Sequence, residues 1–564
     1  MCGIWALAGG ATTSSEVRKE HTDAFMTIVG RGPDLTVLEK VAPTVHLGFH
    51  RLAIVMPGDQ PSQQPIVGQG LSVVCNGEIY NHKQIKDQFP LPSVRNGGSD
   101  CAAIVHSFVG NNGDLKKACE SLDGVFAFVM ADQDKVYIGR DPMGVRPLFY
   151  GFAADGALVV GSEVKCISSL VERIEYFPPG SCATFVPAAK TRALQIQTYW
   201  SIPTNPDKFV PMDGAQILIR DTLVKSVEKR LMGNRHFGFM LSGGLDSSLI
   251  ASIATKFLKH TPHAFSVGFE DSPDLEHARQ VAEYLSIPHH VLVITPKQCI
   301  DIIPEVVHAL ETFDPLIIRC GIAHYLLCKH IAETSDVKVL LSGEGADELF
   351  GSYAYMQRAP NAFHLHKEIL RRMTHLHQYD VLRCDRSTSC HGLEIRVPFL
   401  DKKMIDLVGR LPPTYKLIKK KMEKHILRSA FEGWLPSEVL WRSKEGFAEA
   451  LGKTDLGEII HEHANRLISE EEYSGRHEMF PDRTPETKEE FWYRSIFEQC
   501  YPLEKIAHVV HTKVYKTAAW HLTEEKENLA KLLVNSDDES KMSEEEMREL
   551  RRKAATTLNS GVVA

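Results

Sequence analysis

The chain changes texture once, near residue 200, and that change constrains its fold more than any other feature. Up to about residue 200, short apolar runs are punctuated by Gly, Pro and Asn: VHLGFHRLAIV, LSVVCNGEIY, GVFAFVMAD, KVYIGRD, ALVVGSE and SCATFV. Closely spaced runs with turn residues between them predict antiparallel sheets. Residues 201–211, SIPTNPDKFVP, are proline-rich and aperiodic, and read as a linker. From about residue 213, helical and strand patterns alternate. ILIRDTLVKSVEKRLM, LDSSLIASIATKFLKH and HARQVAEYLS are helical; FGFML, HAFSVGF, HHVLVI and KVLLSG are strands. Alternation of this kind predicts a parallel sheet with crossover helices. A helical stretch from about 360 to 510 is expected to cover it. The boundaries are therefore 2–200, 213–510 and a charged tail, 511–564, which reads as a solvated helix or a disordered segment.

A length of 564 residues exceeds what one core supports, in keeping with two domains. The net charge of −8 argues against a nucleic-acid binder. No apolar run reaches the ~18 residues of a membrane span, and no Lys or Arg precedes the apolar N-terminus as a signal peptide requires. The twelve cysteines include no CxxC pair, so reduced thiols in a cytoplasmic protein are expected.

Cys2 is the exception. Loss of Met1 would leave a thiol and an α-amine on one residue, and an amine with a pKa near ~8 can take the thiol proton during attack on a carbonyl. Four segments accompany it: Arg31-Gly-Pro-Asp34, His50-Arg51-Leu52, Asn76-Gly77-Glu78-Ile79-Tyr80-Asn81 and Gly98-Ser99-Asp100-Cys101. Together they resemble the class II glutamine amidotransferases, whose fold is an α+β N-terminal-nucleophile domain, an antiparallel sheet sandwich flanked by helices. The resemblance implies Cys2 as nucleophile and Arg51 as partner of the glutamine carboxylate. It assigns Asp100 and the Asn76–Glu78 segment to the rest of glutamine, and the Asn76 side chain and Gly77 amide to the oxyanion hole. That family usually carries His before the RGPD turn; here the position is Gly30, which implies altered local packing.

In the second half, FGFML runs into Ser242-Gly243-Gly244-Leu-Asp246-Ser247-Ser248 and a helical pattern. No Gly-Lys-Ser/Thr follows, so this is not a Walker loop, yet glycines between strand and helix present amides to an anion. SGGLDSS resembles the PP-loop of ATP pyrophosphatases. A partner segment, Ser342-Gly343-Glu344-Gly-Ala-Asp347-Glu348, again follows an apolar strand. Parallel sheets bind ligands at the C-terminal ends of their strands, so the two loops are expected to share one crevice. Asp246 and Asp347 are candidate Mg²⁺ ligands, since that ion takes carboxylate and phosphate oxygens. Lys444 is the candidate cation for the leaving pyrophosphate. Leu241, Val267, Ser342 and Gly343 are expected around the adenosine.

A glutaminase followed by a PP-loop domain resembles the glutamine-hydrolysing asparagine synthetases, from residue 2 to about 510. Further matching segments are SPDL (272–275), HGLEIRVPFLD (391–401) and TPETKEEFWYR (484–494). The resemblance implies ATP, aspartate and glutamine as substrates, β-aspartyl-AMP as intermediate, Mg²⁺ as cofactor and a homodimer. It assigns Glu344 to intermediate formation and to taking a proton from ammonia, and Arg319 to the aspartate α-carboxylate. The acceptor segment departs from the family pattern: Leu316 and Ile317 stand where threonines are usual, and Gly321 where serine is. An adenylate-forming ligase for another carboxylate is the first alternative, and a silent regulatory paralogue the second.

Overall fold

A computed structural model describes residues 1–10, 17–55, 62–189, 192–206, 210–418, 422–443, 451–452, 455–501, 503–506, 509–510 and 518. The first half holds strands β1 (Gly3–Ala8), β2 (Leu35–Ala42), β3 (Val45–Arg51), β4 (Ile66–Gly68), β5 (Leu71–Ile79) and β6 (Gly124–Ala131). These are followed by β7 (Val136–Arg140), β8 (Phe149–Phe152), β9 (Leu158–Gly161), β10 (Ile174–Tyr176), β11 (Ser181–Phe185) and β12 (Gln195–Thr198). They form two antiparallel sheets, ordered β10-β8-β9-β1-β3-β2 and β12-β11-β7-β6-β5-β4.

The opening run GIWALA forms β1, an inner strand. Successive side chains of a strand point to opposite faces. Ile4, Ala6 and Ala8 accordingly pack between the sheets with Leu47, Val74 and Val129, whereas Trp5 and Leu7 pack on the outer face with Phe25 and Ile28. The sandwich therefore fixes Cys2, partly buried, at the entrance of β1. The run VHLGFHRLAIV extends less far than its composition implies: β3 stops at Arg51, and the Leu52 amide turns to donate to the Cys2 Sγ at 3.5 Å.

The described residues of the 201–211 segment carry neither helix nor strand. Beyond them, β13 (His236–Met240), β14 (His263–Gly268), β15 (His289–Val293), β16 (Val337–Leu341) and β17 (Glu394–Arg396) form one parallel sheet, ordered β15-β14-β13-β16-β17. From β13 the chain adds strands first on one side and then on the other. Such a reversal opens a crevice beyond the strand ends, which is where open α/β sheets place ligands. The expected helical cover over 360–510 contains helices Ala362–His375, Asp380–Ser389, Lys402–Arg410, Leu456–Leu467 and Lys488–Cys500. It is interrupted by β17, whose three residues, Glu-Ile-Arg, carry too little apolar pattern to read as a strand. The 511–564 tail lies outside the described residues, apart from residue 518.

Candidate active sites

The structure retains Met1, whose fully buried amino group donates to the Leu393 carbonyl at 3.1 Å. Burial holds that amine down to about 5, and pushes the Cys2 thiol up to about 11. With Met1 in place the Cys2 nitrogen is an amide, so the α-amine that would serve as base exists only once Met1 is removed. Glu78 lies close enough to add to the upward push on the thiol.

Asn76 and Gly77 lie toward the end of β5, where they pair with Ala127 and Phe126 of β6. The Asn76 side chain is fully buried, and both its nitrogen and its oxygen lack a hydrogen-bond partner. Leaving a buried polar atom unsatisfied costs ~1–3 kcal/mol, so such a group points to a ligand. Gly77 is fixed by close approach: a Cβ there would sit 2.1 Å from the Val125 carbonyl oxygen. Asp100 accepts the Ile79 amide at 2.7 Å and so braces the end of β5; burial raises its carboxyl. Glu78 is buried, and its carboxyl is pushed well up by desolvation and then by Asp100 and Glu394. Its Oε1 stands 3.4 Å from the Arg396 guanidinium on β17, so the glutaminase motif touches the second domain directly. Arg51 is buried and donates to Ser62 and to the Val55 carbonyl.

In the second domain, Leu241 and Ser242 follow β13, and the helix Leu245–Ala254 begins after Gly244. Gly243 adopts φ +72°, and a Cβ there would lie 2.4 Å from the Ala278 nitrogen, so this turn admits only glycine. The partner loop follows β16, and the two meet: a Cβ on Gly343 would sit 2.7 Å from the Ser247 nitrogen. Between them opens a cleft of about 670 Å³, lined by Leu241, Ser242, Asp246, Ser247, Val267, Ser342, Gly343, Glu344 and Asp347. Gly244 lines a narrower recess beside it, of about 100 Å³, together with Lys424, Arg428 and Arg442.

Lys424 was not legible as a site residue. Its buried ammonium bridges Asp246 and Asp347. Lys444, the expected pyrophosphate cation, lies outside the described residues. The signal for Lys424 was present but diffuse, because it ends a lysine-rich run, KKKMEK, that reads as a solvated face. Arg383 was also missed. It donates to Glu344 at 2.8 Å, to His324 at 3.1 Å and to Asp380 at 3.4 Å. Burial raises the Glu344 carboxyl against the pull of Arg383, and burial raises Glu348 to about 8.

The acceptor side corrects one expectation. Arg319 does not line the cleft; its guanidinium makes a two-pronged pair with the buried Glu489. Leu316, Cys320, His324 and Leu327 line the cleft from one face of the helix Pro315–Thr334, and Arg372 and Arg383 also line it. Of the three departures noted, Leu316 faces the cleft at 40% exposure, Ile317 is 2% exposed in the core, and Gly321 meets Leu310. Gly30 packs against the Cys390 carbonyl, 2.9 Å from where a Cβ would stand.

Two family models divide the chain where the folds divide. A glutamine amidotransferase domain matches residues 1–200, and asparagine synthase matches 218–364 and 357–535. The chain belongs to the glutamine-hydrolysing asparagine synthetase family. It is 38% identical over 523 residues to asparagine synthetase [glutamine-hydrolyzing] 3 of Arabidopsis thaliana, covering 89% of this chain and 88% of that protein. It is 37% identical over 536 residues to the Mus musculus asparagine synthetase [glutamine-hydrolyzing], covering 89% and 94%. Among solved structures, a glutamine phosphoribosylpyrophosphate amidotransferase from B. subtilis aligns at 15% identity and TM-score 0.28, over 61% of this chain and 81% of that one.

Proposed function

We propose that this chain makes L-asparagine from L-aspartate with ATP, using ammonia released from L-glutamine at Cys2. The observation that carries the reading is the shared wall between two chemical centres. Leu393, just before strand β17, meets the N-terminus, Arg396 of β17 meets Glu78, and the Arg396 carbonyl accepts the amide of Ser342, the first residue of the cleft loop, at 3.0 Å.

With Met1 removed, the Cys2 thiolate attacks the glutamine amide carbon. Asn76 and the Gly77 amide hold the developing oxyanion, where one donor is worth ~2.7–4 kcal/mol. The Cys2 α-amine, which took the thiol proton, passes it to the leaving nitrogen as the C–N bond breaks, ammonia departs, and water hydrolyses the thioester to glutamate. In the cleft, the aspartate β-carboxylate attacks the α-phosphorus of ATP and pyrophosphate leaves beside Lys424. Ammonia then attacks the acyl carbon, AMP leaves, and Glu344 takes the extra proton. A carboxyl raised by burial is suited to that last role.

Asp246 and Asp347 fit a magnesium ion in their chemistry, since both turn hard carboxylate oxygens toward one point, which the Lys424 ammonium shares. Among the described residues no three His, Cys, Asp or Glu side chains converge on one point, so Asp246 and Asp347 would hold the ion together with oxygens from outside the chain. When bound, Mg²⁺ neutralises phosphate charge.

Among the described residues no helix is long and apolar enough to cross a membrane, and we assign the enzyme to the cytoplasm, as a homodimer. A second reading, a different carboxylate acceptor, is favoured by Leu316 alone. Pyrophosphate release from ATP tests both: it depends on aspartate if the first reading holds, and on another acid if the second does. A Cys2→Ala variant is expected to keep ammonia-dependent synthesis and lose the glutamine-dependent reaction.

A further inference from the structure

We propose that Arg31 and Asp385 form a positioning relay through which the state of the synthetase cleft sets the placement of Cys2. This inference rests on the coupled reaction proposed above, and adds how the two halves communicate.

The relay is a continuous set of hydrogen bonds. Arg31 Nε donates to the Cys2 carbonyl at 3.0 Å. The same guanidinium donates through Nη1 and Nη2 to both oxygens of Asp385, at 2.8 and 3.2 Å, and to the Ser389 hydroxyl at 2.9 Å. Its remaining partner is Glu163, within the glutaminase domain. Arg31 and Asp385 are each 1% exposed. A buried, two-pronged guanidinium–carboxylate pair fixes geometry far more tightly than a surface pair.

Asp385 and Ser389 lie on the helix Asp380–Ser389, which also carries Arg383. At 100° per residue, Asp385 and Ser389 share one face, and Asp380 and Arg383 share the opposite one. One face therefore holds the Cys2 loop, and the other holds Glu344 at 2.8 Å through Arg383. A displacement of this single rigid helix, caused by a new partner for Glu344 in the cleft, is passed to the Cys2 backbone by two side chains. A ligand moves such an equilibrium only through differential contacts, and the Arg383–Glu344 pair is where reactants make them.

The joint has room to move. A cavity of about 420 Å³ lies beside it, with Gly30, Arg31 and Glu163 on one wall and Pro304, Tyr325 and Cys390 on the other. Gly30 belongs to the relay through its shape, because a Cβ there would press to 2.9 Å of the Cys390 carbonyl and push the Arg31 loop off the helix end.

The test measures glutamate release from glutamine by the full-length protein, with and without saturating ATP and aspartate. The parent protein is expected to differ between the two states by on the order of fivefold or more. In Asp385→Asn and in Gly30→Ala that ratio is expected to fall toward one, while asparagine synthesis from added ammonia stays within about twofold of the parent. Gly30→Ala removes no charge, and keeps the test valid if Asp385→Asn fails to fold. A parent ratio of one, or variants that keep the parent's ratio, would overturn the relay. Absence of ammonia-dependent asparagine synthesis in the parent would instead overturn the reading on which it rests.

Discussion

Replacing Lys424 by Met isolates the electrostatic centre of the ATP cleft. The Lys424 side chain is 2% exposed, and the two carboxylates it bridges, on Asp246 and Asp347, are each 17% exposed. At an effective dielectric of ~20, each charge pair at ~4 Å is worth ~4 kcal/mol before desolvation. Breaking a buried ionic group by removing one partner costs ~3–5 kcal/mol net, because the remaining charges stay buried. Lys424→Met leaves two carboxylates facing the incoming triphosphate, so most of that cost should fall on ATP. A loss of ~2.7–4 kcal/mol corresponds to a fall of ~10²–10³-fold in kcat/KM for ATP. The assay is aspartate-dependent pyrophosphate release, with glutaminase turnover of the same preparation as internal control. Lys424→Arg should recover part of the loss. Retention of kcat/KM for ATP within threefold would refute the reasoning, and so would an equal loss of glutaminase activity, which would mark a folding defect.

Gly77→Ala forces a Cβ to within 2.1 Å of the Val125 oxygen, so it should abolish glutamine-dependent synthesis and spare the ammonia-dependent reaction, as read by asparagine formation from each donor. Leu316→Thr returns a hydroxyl to the cleft wall; it should change the KM for aspartate by up to ~10-fold, about 1.4 kcal/mol, and leave the KM for ATP unmoved. Lys416 is 4% exposed with an unpartnered Nζ, and burial lowers it from 10.5 to about 7. The unfolded chain binds the proton across that window and the folded chain does not, so stability should rise with pH between 7 and 10.5. Lys416→Met should flatten that rise in thermal unfolding and stabilise the protein at pH 7 by at most about 4 kcal/mol.

Much of the architecture was legible because apolar periodicity reports it directly. The inner strands β5, β6, β13 and β16 are each rich in apolar residues, and both phosphate-side loops follow such strands. Strand β17 was not legible: its outer residues, Glu394 and Arg396, are buried by pairing with other charges, which no single-sequence pattern reveals. The site divided the same way. Cys2, Asn76 and Ser242–Gly244 stand in local motifs, where backbone geometry demands particular residues. Lys424 and Arg383 act across 178 and 39 residues of chain on Asp246 and Glu344, and only tertiary contact identifies them. Arg319 shows the converse, a charged residue kept within a segment that otherwise departs from the family pattern, and paired with Glu489.

Nitrogen released at Cys2 is expected to reach the acyl group formed in the ATP cleft. Glutamine labelled with ¹⁵N in its amide, supplied with aspartate, ATP and excess unlabelled ammonium, tests it in one experiment. The asparagine amide is expected to carry the ¹⁵N label well above the fraction set by the mixed ammonium pool, with AMP and pyrophosphate formed alongside. Asparagine labelled only to the level of the bulk pool, or no asparagine at all, would contradict it.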